Sequence, residues 1–240
     1  MILAAAQTVP VKGNVEKNIE NHLFLIKQAH KKGVGLIIFP ELSLTGYEPE
    51  LASSLAFSEN DSRIKPFIEI ARDLKMIILV GAPINLEDKL HIASFIVYPN
   101  SKIEIYTKRY LHPGEEKYFH PGKLNPQIGL NGQVASLAIC ADISNPQHPE
   151  DAYNKGASLY LSSVLCSQKG YDYDVNLLRG YAKKYNMLVM MSNFGGDSGG
   201  YDVAGKSILI SKNGKTISCL KAKGEGLAIA KYENEKWVSL

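Results

Sequence analysis

Residues 35–47 read GLIIFPELSLTGY, an unbroken apolar run that ends in Pro40 and is followed at once by the carboxylate Glu41. A run of this kind, without polar alternation, is what a strand covered on both faces requires. Helical spacing flanks it on both sides. Val15, Ile19, Leu23, Ile26 and Ala29 recur at three and four residues behind Asn14 as N-cap, and Ile64, Phe67, Ile68, Ala71 and Leu74 do so behind Ser62. With apolar strands at Ile2–Ala6 and Met76–Val80, the first third reads strand–helix–strand–helix–strand, the pattern of a parallel sheet with helical crossovers.

Further strands are predicted at Ala93–Tyr98, Ile103–Lys108, Val134–Ile139, Leu159–Ser163, Leu188–Ser192, Ser207–Ser211, Thr216–Leu220 and Leu227–Lys231, with helices at Pro149–Lys155 and Asp174–Tyr185. Pro99–Ser101 and Lys212–Lys215 join neighbouring strands as hairpins, which makes the sheets mixed. No repeat, linker or low-complexity tract divides residues 1–240, so a single α/β domain is expected, with sheets packed together and helices outside. Its 240 residues, 45% hydrophobic and 21% charged, suffice for a core that needs neither disulfides nor a structural metal.

A net charge of +3 spread along the chain marks no basic patch for nucleic acid or anionic membrane. No signal-peptide pattern opens the sequence and no apolar stretch is long enough to span a bilayer. Three cysteines, an odd number, point to thiols in a reducing compartment, so a cytoplasmic location is expected. His112, His120 and His148 lack metal-ligand spacing, and Gly195–Gly200 lacks a phosphate-binding fingerprint, so neither metal nor cofactor is expected.

Three strand ends carry chemistry. Glu41 follows one apolar strand, where desolvation raises a carboxyl toward the range of a general base. Cys140 ends SLAICAD (136–142), where the N–H of Ala141 is placed to receive an oxyanion. Lys108 closes a third strand and can neutralise that oxyanion. Taken singly, each has a plain reading: a solvated glutamate, a buried apolar cysteine, a surface lysine. Cys166 and Cys219 keep that plain reading, although Cys166 lies near a strand end and could border a pocket.

The ordered set Glu41, Lys108, Cys140 resembles the Glu-Lys-Cys triad of the nitrilase superfamily, the carbon–nitrogen hydrolases. The opening ILAAAQ, the blocks LIIFPELSLTGY, YTKRYLHPGEEKYFHPG and LAICADISNP, and the later SNFGGDSGGYDVAGKSILISKNGK all resemble that family's segments in its order. The resemblance implies a four-layer α-β-β-α sandwich of two mixed sheets. It implies Glu41 as base and later proton donor, Lys108 and the Ala141 N–H as oxyanion partners, and Cys140 as the carrier of a thioester. Glu115, standing before Phe119-His-Pro-Gly, takes the place of the family's second glutamate, with Glu116 as adjacent competitor.

Cys-x-Asp at 140–142, in place of the Cys-Trp-Glu of true nitrilases, favours an amide over a nitrile. The expected reaction is hydrolysis of a small linear amide or N-carbamoyl compound; alternatives are acyl transfer by the same triad and a silent binding or assembly protein of the same fold. A stand-alone hydrolase, without a ligase domain for ammonia delivery, is expected. Relatives dimerise through helices beside the site, so a homo-oligomer is expected, although Tyr181–Asn186 departs from the family's pattern there. Expected pocket walls are Tyr47, Tyr118, Phe119, His120, Asn145, His148, Val164 and Gln168. Their charges single out neither an anionic nor a cationic substrate.

Overall fold

The computed structural model describes residues 1–240. Its strands are β1 (Ile2–Gln7), β2 (Leu36–Ile38), β3 (Ile77–Leu86), β4 (Lys89–Val97), β5 (Ile103–Thr107), β6 (Gln127–Leu130), β7 (Gln133–Ile139), β8 (Leu159–Ser163), β9 (Leu188–Ser192), β10 (Ile208–Ile210), β11 (Thr216–Cys219), β12 (Gly226–Glu233) and β13 (Lys236–Ser239). The helices are α1 (Val15–Lys31), the single turn α2 (Ala52–Leu55), α3 (Lys65–Leu74), α4 (Gln147–Asn154) and α5 (Tyr171–Tyr185). None is long and apolar enough to cross a membrane.

Two mixed sheets form, in the orders β13-β12-β1-β2-β3-β4-β5 and β11-β10-β9-β8-β7-β6. Each has three parallel central strands, β1-β2-β3 and β7-β8-β9, extended by antiparallel neighbours. Alternation along the strands produces the layers. Leu36 and Ile38 of β2 face the second sheet and pack with Leu137, Ile139 and Leu161, whereas Ile37 and Phe39 face outward onto Ile26 of α1 and Phe67 of α3. On the far side Tyr160, Val189 and Met191 meet Val175, Leu178 and Ala182 of α5. Three buried layers between four structural layers make the α-β-β-α sandwich that the resemblance implies.

Local signals account for most element boundaries. Asn14 caps α1 by accepting the Lys17 N–H at 3.0 Å. Ser62 does not cap the next helix: Asp61 accepts the Arg63 N–H at 2.9 Å and starts a 3₁₀ turn that leads into α3. The β3–β4 hairpin runs further than its apolar pattern, because Gly81 and Pro83 interrupt the strand's signature and Glu87-Asp88 form its turn, both at positive φ. Edge strands β6 and β13 are additional; QIGL and KWVS are too short and too mixed to stand out. α4 and α5 begin two and three residues before their apolar periodicity does.

Candidate active site

The parallel strands β2 and β7 release their C-terminal ends at the same edge of the sandwich, one from each sheet. β5 follows β3 through two antiparallel steps and so ends at that edge too. Glu41 and Cys140 are thereby brought together across the inter-sheet layer to line a cavity of about 220 Å³, with Lys108 bonded to Glu41 behind its wall.

Lys108 is fully buried, with its Nζ 2.7 Å from Glu41 Oε1 and 2.8 Å from Glu115 Oε1. An ammonium has three donors, so two are engaged and one remains for a substrate oxygen. The carboxylates divide their roles. Glu115 is saturated, since Oε1 also accepts the Tyr47 hydroxyl at 2.7 Å and Oε2 accepts the His112 N–H at 2.8 Å. Glu41 has one oxygen on Lys108 while Oε2, equally buried, has no hydrogen-bond partner. That free lone pair is the one available to take a proton. Glu116, the competitor for the second position, is exposed and bends back to the Gly114 N–H at 2.7 Å.

Burial raises the Glu41 carboxyl to about 7, against the pull of Lys108 and with a further push from Glu115. Burial opposes the charge on Lys108 too, yet Glu41, Cys140 and Glu115 outweigh it and hold the ammonium protonated well above neutrality. The Cys140 thiol is pushed far up, first by burial and then by Glu41. Cys140 therefore rests as a thiol beside a base that can remove its proton. Its backbone is left-handed (φ 44°), which bends the chain sharply out of β7 into the 3₁₀ turn Cys140–Ser144. Ala141 lines the cavity at the start of that turn, where an N–H has no acceptor within the turn itself.

The loop carrying Glu41 is braced from behind. Leu42 is at φ 50° and its backbone lies so close to β3 that a Cβ on Gly81 would sit 2.5 Å from Leu42 N, so only glycine fits there. His22 stacks on Phe39 at 4.1 Å, and burial lowers its ring to about 4, keeping it neutral. With Nδ1–H donating to the Asn18 carbonyl at 2.6 Å, its Nε2 accepts the Ser43 hydroxyl at 2.9 Å, and Ser43 Oγ accepts the Gly81 N–H.

Asp142 does the same for the nucleophile turn. Its fully buried carboxylate accepts the Ile139 N–H and the Tyr106 hydroxyl on one oxygen, and the Arg109 and Tyr110 N–H groups on the other, at 2.6–3.0 Å. The turn after β7 is thus tied to the segment that follows Lys108. Asp142→Ala orphans four donors and is expected to cost about 3 kcal/mol or more in urea denaturation. A cost below about 1 kcal/mol would show that water or a shifted backbone replaces them.

Of the expected pocket walls, Tyr47 lines the cavity, and Tyr118 lines a shallow groove beside it that Tyr47 and His112 share. The other six lie elsewhere. His148 is buried beneath the nucleophile turn, between the Tyr106 and Tyr160 hydroxyls at 2.8 Å each, and burial lowers its pKa. Phe119 belongs to the inter-sheet layer and Val164 to the layer beneath α5, since both are apolar and the interior claims them. His120 is exposed, with its carbonyl accepting the His91 ring N–H; Asn145, just before the N-cap Pro146 of α4, accepts the Gln147 N–H; Gln168 is exposed. The walls instead include His112, Leu165, Cys166, Asp174 and Tyr201. Among them Cys166 carried a signal in the sequence as a possible pocket residue, through its position near the end of β8, and His112 stood out only as a rejected metal ligand.

The sequence matches the carbon-nitrogen hydrolase family over residues 2–239. It is 29% identical to a glutamine-dependent NAD(+) synthetase of Aquifex aeolicus over 94% of this chain and 41% of that protein. It is 25% identical to a nitrilase of Pyrococcus abyssi over 91% of this chain and 84% of that one. The chain spans about two fifths of the length of the NAD(+) synthetases it matches. The fold is also that of an amidase from Nesterenkonia sp., with TM-score 0.90 and 23% identity over 98% of this chain and 93% of that one. A mutant of that amidase has been solved in complex with butyramide. A match along nearly its whole length, on the same four-layer sandwich, places this chain in the carbon-nitrogen hydrolase family.

Proposed function

We infer that the chain is a cysteine amidase that hydrolyses a small carboxamide through a thioester on Cys140. The observation that carries this reading is Lys108 clamped between Glu41 and Glu115 while the second Glu41 oxygen stays unpartnered in the cavity that Cys140 lines. Glu41 takes the Sγ proton as the sulfur attacks the carbonyl carbon. The oxygen, now an anion, is held by the third Lys108 donor and the Ala141 N–H. Glu41 returns its proton to the departing nitrogen, the C–N bond breaks, and ammonia or an amine leaves the acyl thioester. A water that loses its proton to Glu41 then attacks the thioester. The acid departs, and the sulfur recovers the proton.

The likeness to an amidase fold that holds butyramide in another protein supports an aliphatic amide. The test is mass spectrometry of protein quenched during turnover of small amides: a substrate-dependent acyl mass on Cys140 is expected. Ammonia release that survives Cys140→Ala overturns the reading. Added hydroxylamine, trapped as hydroxamate, reports how readily the acyl group passes to an amine instead of water. A second reading rests on the likeness to glutamine-dependent synthetases, with glutamine as the amide and ammonia handed to a partner. Glutamine cleaved in preference to aliphatic amides would favour it.

A further inference from the structure

The cavity holds a third carboxylate that the reaction does not use. Asp174, in the first turn of α5, lines it together with Cys140, Glu41 and Glu115. Its one side-chain hydrogen bond is from the Cys166 thiol, at 3.1 Å to Oδ2. Cys166 directly follows Leu165, whose carbonyl lies 3.6 Å from Cys140 Sγ, so this carboxylate stands close to the nucleophile along the cavity wall.

Charge in the cavity does not balance. Glu41 and Glu115 share the single cation Lys108, and no lysine or arginine reaches Asp174. His112 faces the same space and its electrostatic pull on Asp174 works against the effect of burial, but it makes no ion pair with that carboxylate, and its ring Nδ1 lies 3.1 Å from the Pro113 carbonyl. Asp172, on the same helical turn, is exposed and adds negative charge near Cys166. Partial burial opposes the charge on Asp174 and raises its pKa. A cation arriving in the cavity relieves that cost; an anion adds to it.

We propose that Asp174 is a specificity-determining residue that receives a protonated amine of the substrate, so that the preferred amide carries an ammonium group a few bonds from its scissile carbonyl. This rests on the amidase reading above and narrows its substrate class. The small cavity and the closeness of Asp174 to Cys140 favour a short ω-amino amide. Dicarboxylic ω-amides, whose second carboxylate would face Asp174, are disfavoured.

Three amides of one length separate the possibilities: 4-aminobutanamide (cationic), pentanamide (neutral) and glutaramate (anionic). For the wild type, kcat/KM is expected to be at least about tenfold higher for 4-aminobutanamide than for pentanamide, with glutaramate lowest. Asp174→Asn, nearly isosteric, is expected to bring the first two within about twofold of each other, mainly through KM for the cationic amide. Calorimetric binding of the same amides to Cys140→Ala, with and without Asp174→Asn, reads charge selection without turnover. Equal binding of the cationic and neutral amides to Cys140→Ala overturns the assignment of Asp174, whatever the activity. Selective binding of the cation with no hydrolysis by the wild type overturns the amidase reading and leaves the assignment standing.

Discussion

A Lys108→Met protein is expected to lose about 10²–10³-fold in amide hydrolysis and, near neutral pH, about 3–5 kcal/mol of stability. The two losses have one origin. Lys108 is the only cation between two buried carboxylates, and it holds both at 2.7–2.8 Å. Methionine fills much of the same volume but leaves Glu41 and Glu115 facing one another without a counter-charge, and breaking a buried pair costs far more than it gains when intact. The oxyanion also loses its ammonium donor. One carboxyl is then expected to hold its proton to higher pH, so the stability deficit should shrink on acidification from pH 7 to pH 5. Urea denaturation at the two pH values, with ammonia release at each, measures both effects. A stable variant with activity within tenfold of wild type would mean that the Ala141 N–H suffices for the oxyanion.

Glu41→Gln is expected to cost about 10²–10⁴-fold in kcat/KM, because the amide oxygen can keep the Lys108 hydrogen bond while nothing remains to take the thiol proton. Its pH dependence is the sharper diagnostic. In the wild type the base must be ionised, so activity should rise with pH through about 7, the value to which burial brings Glu41. Stability should move the other way. A carboxyl whose pKa is higher folded than unfolded keeps its proton in the native state over a range where the unfolded chain has released it. Its contribution therefore falls as pH climbs from the ordinary carboxylate range to about 7. Glu41→Gln should remove this fall as well as the rise in activity. A wild-type profile that is flat between pH 5 and 8 would assign the base to another group.

Much of this was legible locally. The unbroken apolar run Leu36–Phe39 foretells a strand buried on both faces, because successive side chains point to opposite sides of a sheet and all four are apolar. The placement of Glu41, Lys108 and Cys140 at strand ends follows from the chain itself, as does the resemblance their order carries. Glu115 and Glu116 differ by one residue and share a composition; only the fold turns one to Lys108 and the other to solvent. His148 shows the limit from the other side. It follows the nucleophile closely enough to look like a pocket residue, yet two tyrosines from β5 and β8 hold it in the interior.

The sequence by itself determined the layered α/β architecture, because periodicity, caps and strand ends are set by neighbours within a few residues, and it marked Glu41, Lys108 and Cys140 as candidates through the order in which they resemble a family's triad. The tertiary structure alone decided which glutamate orients the lysine, which oxygen of Glu41 is free, and that Asp174 shares a cavity with Cys140. Those outcomes depend on contacts between residues far apart in the chain, such as Lys108 with Glu41 across 67 positions, and on the burial that shifts their charges. No local pattern encodes such distances; they follow from packing two sheets face to face.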